Sequence, residues 1–151
     1  ASGLSLKPGE ILNNGRRLRD EYDVRVTSIK DPISTLSGGN AQKAILARAM
    51  NRELKLLVVS QPTRGVDVGS IEFIYKRMVK ERDKGTPIIV ISTELDEVEA
   101  LADRIAIMYR GKFVGIVPAG TSRDVLGLMM AGVSQSEAEE TDASQRGAAH
   151  E

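Results

Sequence analysis

Cysteine is absent from the 151 residues, and histidine occurs once, at His150, next to the last residue. Without thiols there is neither a disulfide framework nor a thiolate metal site. A single terminal imidazole argues against a histidine zinc centre and against a Ser-His-Asp triad. No apolar run approaches the ~20 residues that span a bilayer, and no secretory signal opens the chain. Charge of one sign is also missing, since 21 basic side chains balance 21 acidic ones. A broad electrostatic surface for nucleic acid is therefore not expected, although a local basic patch is not excluded. The first residue is Ala1 rather than methionine and the opening looks mid-domain, so the N-terminus reads as a truncation. What remains is ordinary. A hydrophobic content of 41% and a charged content of 28% suit one soluble domain that can bury a core.

The apolar spacing alternates between strand and helix. Residues 1–13 carry Gly and Pro without a clear period and read as a loop or frayed edge. Leu18 and Tyr22 suggest a short amphipathic helix over 14–22, and 24–35 looks irregular with Pro32 as a breaker. Ser37 is a good N-cap for a helix rich in strong helix formers from Ala41. Leu56–Val59 and Ile88–Ile91 are fully apolar strands. Between them Ile71, Ile74, Tyr75, Met78 and Val79 follow helical spacing, which Lys84-Gly85-Thr86-Pro87 ends. Leu95, Val98 and Leu101 form a short helix face. Arg104–Tyr109 and Lys112–Val117 flank Arg110-Gly111 as a tight hairpin. Ser122 caps a last short helix to Met130. From about Ser134 almost nothing is apolar beyond alanine, so a disordered tail is expected over 133–151. The alternation predicts an α/β layer fold with a partly parallel sheet.

Two stretches carry chemistry. Ser37-Gly38-Gly39 opens a helix, where unpaired N–H groups and a partial positive charge suit an anion and glycines let it approach. Taken alone, it is also readable as a plain N-capped turn. The run LLVVSQPTRGVD, residues 56–67, is a buried strand that stops at a sharp turn. Beyond its apolar part it presents Ser60 and Gln61, a neutral hydroxyl and a neutral amide, where open α/β sheets place their ligands. Lys43 and Arg48 read as members of a solvated helix face. Glu94, Asp96, Glu97 and Glu99 cluster near a helix start, where acids suit the macrodipole better than they suggest a metal site.

The string LSGGNAQKAILAR, from Leu36, resembles the signature motif of ATP-binding-cassette (ABC) ATPases, in the form found in tandem-cassette importers of simple sugars and nucleosides. PTRGVDVG, residues 62–69, and ISTELDEVEALADRIAIMYRGKFVG, residues 91–115, resemble the next family segments in unbroken order. The resemblance implies a partial P-loop NTPase fold: a mostly parallel sheet core, part of the helical subdomain and a C-terminal β-hairpin. Residues 1–35 would belong to the helical subdomain and 36–132 to the ATPase core. The chain holds no G-x-x-x-x-G-K-[ST] phosphate loop, so the resemblance covers only the C-terminal part of a cassette.

The departures from the family are as informative. The family places an Asp and a Glu, its Walker B acids, where this chain has Ser60 and Gln61, and most members place a switch histidine where it has Thr93. Gln61 keeps the size of Glu but cannot accept a proton at neutral pH, and Ser60 has no charge to organise magnesium. Related nucleoside-importer ATPases tend to lose the Asp-Glu pair in their second cassette, with a neutral residue and Gln before Pro-Thr-Arg-Gly. The resemblance therefore implies a degenerate site on this strand end, with no intact catalytic residue. It also implies that Ser37, Gly38, Gly39 and Asn40 close over the γ-phosphate of an ATP, with its Mg2+, held by a partner cassette. Arg64, Gly65 and Asp67 would form the D-loop, with Arg64 touching the partner or anchoring its own loop. Implied partners are a second cassette, membrane permease subunits and, indirectly, an extracytoplasmic solute-binding protein, with no nucleic acid. The place implied is the cytoplasmic face of the plasma membrane. Two other classes stay open: a non-catalytic regulatory module that binds protein, and a soluble cassette ATPase outside transport.

Overall fold

The structure is a computed structural model that describes residues 7–148. Residues 1–6 of the expected N-terminal loop, and His150 at the end of the expected tail, lie outside the described residues. The chain divides after Ile91 into two compact units.

The first unit begins with helix α1 (Pro8–Glu21), which starts earlier than its apolar spacing suggests. Pro8 explains the early start, because a proline at the first helical position gives up an N–H that has no partner there anyway. Helix α2 (Gly38–Met50) also starts early: the Oγ of Ser37 accepts from the backbone of Asn40, so both glycines fall inside the first turn. Strand β1 (Leu57–Ser60) and strand β2 (Ile88–Ile91) pair in parallel, Leu57 opposite Ile88 through Ser60 opposite Ile91. Helix α3 (Val68–Asp83), capped by Asp67, connects them as a βαβ unit. It buries Ile74 and Met78. Parallel pairing needs a crossover of this kind, and the helical spacing between the two apolar runs had called for one.

The second unit holds helix α4 (Leu95–Leu101), strands β3 (Arg104–Tyr109) and β4 (Lys112–Pro118), and helix α5 (Arg123–Met130). β3 and β4 form the expected antiparallel hairpin. Arg110 and Gly111 at its tip have φ of +46° and +79°, as a two-residue primed turn requires. The register shifts between Ile107 and Met108, a bulge that leaves Val114 extra on β4. Ile105, Ile107 and Val117 pack with Val125, Leu126 and Met129 of α5 into one core.

The segment expected to be disordered differs from that expectation. Gln135–Ala148 forms helix α6, and Ala138 is fully buried in the same core. One small side chain suffices because α6 needs only to lie close to α5, and a lone alanine leaves no hydrophobic period to read. No helix among the described residues is long and apolar enough to cross a membrane.

Candidate functional site

The Gly-Gly turn lies against the loop that follows β1, and the glycines are what allow it. A Cβ on Gly38 would sit 2.6 Å from the carbonyl oxygen of Gly65. A Cβ on Gly39 would sit 2.5 Å from the Oγ of Ser70 and 2.6 Å from an Asp67 carboxylate oxygen. Gly65 itself has φ +71°, a left-handed conformation that favours glycine. The first turn of α2 and residues 65–70 therefore form one packed body. The sequence suggests that the glycines admit an anion; their bare Cα positions here also admit a neighbouring loop.

Asp67 is engaged on that side. Its two carboxylate oxygens accept from the backbone N–H and the hydroxyl of Ser70, at 3.0 and 2.8 Å. The hydroxyl bond and then the backbone bond hold its carboxyl below the ordinary aspartate range, and the charge of Lys43 adds to this. Gly38 and Gly39 keep the first-turn N–H groups that no intrahelical carbonyl can satisfy. Ser37 is exposed at the start of that turn, beside a cleft of about 350 Å³ bordered by Arg25, Asp31, Leu36 and Asn40. Asn40 is tied on both sides: its Oδ1 accepts from the Arg25 N–H at 2.8 Å, and its Nδ2 donates to the Ser37 Oγ at 3.0 Å.

Lys43 does not lie on a solvated face. It is 6% exposed, donates to the backbone carbonyl and a carboxylate oxygen of Asp23, at 3.2 and 3.0 Å, and sits 4.7 Å over the Phe73 ring. The long Lys43 stem is covered while its head meets a charged partner, which a helical wheel cannot show. Asp23 has φ +47°, a conformation open to aspartate, and its carboxyl is held below the usual range first by the Lys43 hydrogen bond. Arg48 is exposed, as expected.

Ser60 ends β1 and is exposed. Gln61 follows in the left-handed region at φ +50°, and its N–H donates to the Ile91 carbonyl at 2.8 Å, the last rung beside β2. Arg64 is exposed in the turn that follows. Thr93 lies two residues beyond β2, in the second unit. Among the described residues no group of three or more His, Cys, Asp or Glu could hold a metal. Of the acidic cluster, Asp96 and Glu99 bind Arg123 rather than leaving a cage open.

No protein-family model matches the chain. The chain is 49% identical over 124 residues to the nucleoside import ATP-binding protein NupA of Lactococcus lactis, an alignment covering 82% of this chain and 24% of that protein. The guanosine import ATP-binding protein NupO of Bacillus subtilis is 45% identical over 134 residues, 88% of this chain and 26% of its own length. The chain belongs to the ATP-binding-cassette family. It spans about a quarter of the length of these relatives. A dimeric bacterial ABC transporter cassette superposes with a TM-score of 0.66 at 18% identity, covering 81% of this chain and 52% of that one. At that identity the likeness speaks to the fold, which is part of the ABC ATPase, P-loop NTPase architecture. Sequence reasoning missed two features of this ABC fragment, the Asn40–Arg25 link and the Lys43–Asp23 pair. Both join residues fifteen or more apart that no periodicity relates.

Proposed function

We propose that this chain is the C-terminal part of the second cassette of a tandem ABC importer ATPase. Its signature turn closes over ATP held by a partner cassette and so couples ATP binding and hydrolysis to uptake of nucleosides, or of simple sugars. The relatives' names support the solute class, nucleoside and guanosine import standing beside the ribose import ATP-binding protein RbsA of Lactococcus lactis, 41% identical over 102 residues. The observation that carries the reading is the exposed, capped turn at Ser37. It offers the Ser37 hydroxyl and the N–H of exposed Gly38 to an anion, while buried Gly39 lets the turn pack against Asp67 and Ser70. Asn40 completes the turn. Arg64, Gly65 and Asp67 form the adjoining D-loop, where exposed Arg64 is available to the partner.

ATP, when bound, supplies the phosphoryl chemistry and Mg2+ its charge neutralisation, mainly from the partner's side. Ser60 and Gln61 lack the charge and basicity to do that work at this strand end, and Thr93 lacks an imidazole. The chain alone is therefore inactive as an ATPase. The complete protein would work at the cytoplasmic face of the membrane with permease subunits and, through them, an extracytoplasmic solute-binding protein.

Gly39 is a poor probe of this role, because any side chain there strikes Asp67 and Ser70. Ser37→Asp is cleaner. Asp caps a helix about as well as Ser does, so α2 keeps its start. The new carboxylate would face the phosphate. In the complete protein, ATP turnover is expected to drop at least about tenfold with an unchanged melting temperature. Turnover near the parent level would overturn the trans-signature role.

A further inference from the structure

The hydrogen bonds around Asn40 run in one direction, and the direction is fixed by an atom that cannot reverse. The backbone N–H of Arg25 only donates, so the Asn40 atom 2.8 Å away is the amide oxygen. The amide nitrogen must then face Ser37, 3.0 Å from its Oγ. The Asn40 backbone N–H approaches the same oxygen at 3.4 Å. Ser37 therefore receives protons from Asn40 and can give none back. Its own proton points away, on a residue that is exposed. With the amide reversed, the hydroxyl would spend its proton on Oδ1 and turn lone pairs outward, which an anion would repel.

We propose that Asn40 is a positioning residue: anchored by the Arg25 backbone, it sets Ser37 as an outward hydrogen-bond donor to the γ-phosphate. This rests on the trans-signature reading and adds a division of labour within it. The contact with phosphate forms only as the cassettes close, so its loss falls on kcat, while the KM for ATP, set by the other cassette's phosphate loop, stays near the parent value.

A double-mutant cycle on ATP turnover by the complete, permease-bound protein tests this. Ser37→Ala and Asn40→Ala are each expected to lower kcat roughly tenfold, the scale of one lost hydrogen bond to a charged group. Adding Asn40→Ala to Ser37→Ala should then cost nothing further. Asn40→Leu keeps about the same size, removes the amide and brings no charge near the phosphate. It should match Asn40→Ala, and so covers the case in which the alanine variant fails to fold. If Asn40→Ala costs as much in the Ser37→Ala background as alone, Asn40 acts structurally or on the nucleotide directly, and the positioning role is wrong while the trans-signature reading stands. If Ser37→Ala leaves kcat unchanged, both fall together.

Discussion

Lys43 shows how much of a site one residue can hold in place. Its ammonium joins the Asp23 turn to α2 and lies over Phe73 of α3. Lys43→Ala removes a buried cation–π contact and leaves space in the packing, so a loss of about 1–2 kcal/mol is expected in chemical denaturation. Acid acts on the same neighbourhood. Asp23 and Asp67 both titrate below the ordinary 3.8, held there mainly by Lys43 and by Ser70 respectively. A depressed folded value means that their contribution is present above about pH 4 and is lost as pH falls through the folded values. Melting temperature should fall on acidification below pH 4, and less steeply in Asp67→Asn, which still caps α3 but does not titrate. An identical acid profile in that variant would show that Asp67 carries none of the effect. At this scale the sequence was legible for Ser37, whose capping role follows from its type and place. It misplaced Lys43 on a solvated face, because burial of a lysine depends on residues that are brought together from α2, α3 and the Asp23 turn.

Among the elements, α6 is the instructive one. Low apolar content predicts no structure, yet the helix carries its own start signal. The Oγ of Ser134 lies 3.5 Å from the Glu137 N–H, and a Glu137 carboxylate oxygen accepts from the Ser134 N–H at 3.2 Å. That is a capping box, readable in the sequence as Ser-x-x-Glu, and composition alone hides it. The Ser134 bonds also hold the Glu137 carboxyl below its usual range. Docking rests on Ala138 against α5. Ala138→Glu would bury a charge against Met129 and its neighbours, so α6 should release. Hydrogen exchange would then show 135–148 losing protection while the hairpin keeps its own. Protection unchanged in that variant would mean that α6 does not depend on this contact. The hairpin was legible to its turn, because Arg110-Gly111 meets a conformational demand that few dipeptides satisfy; the bulge at Met108 had no signal of its own.

For the whole molecule, the α/β class followed from alternating periods, and the family from three motifs in order. The division after Ile91 did not, since nothing in the composition shifts there. In the first unit the two-stranded sheet covers Leu57 and leaves Val58, Ile89 and Ile91 exposed on its other face. Parallel sheets ordinarily have both faces covered. The chain by itself should therefore bind an apolar dye, and Val58→Lys with Ile89→Lys should reduce that binding; a parent chain that takes up no dye would contradict the open face. The central claim is that this chain lends a signature turn to ATP that another cassette holds, and has no phosphate loop of its own. The most direct measurement is calorimetric titration of MgATP into the chain, with circular dichroism confirming its helices, repeated after adding a cassette that carries an intact phosphate loop. The account predicts no binding to the chain alone, and binding in the mixture that is tighter than to the added cassette by itself. Tight binding by the chain alone would contradict it.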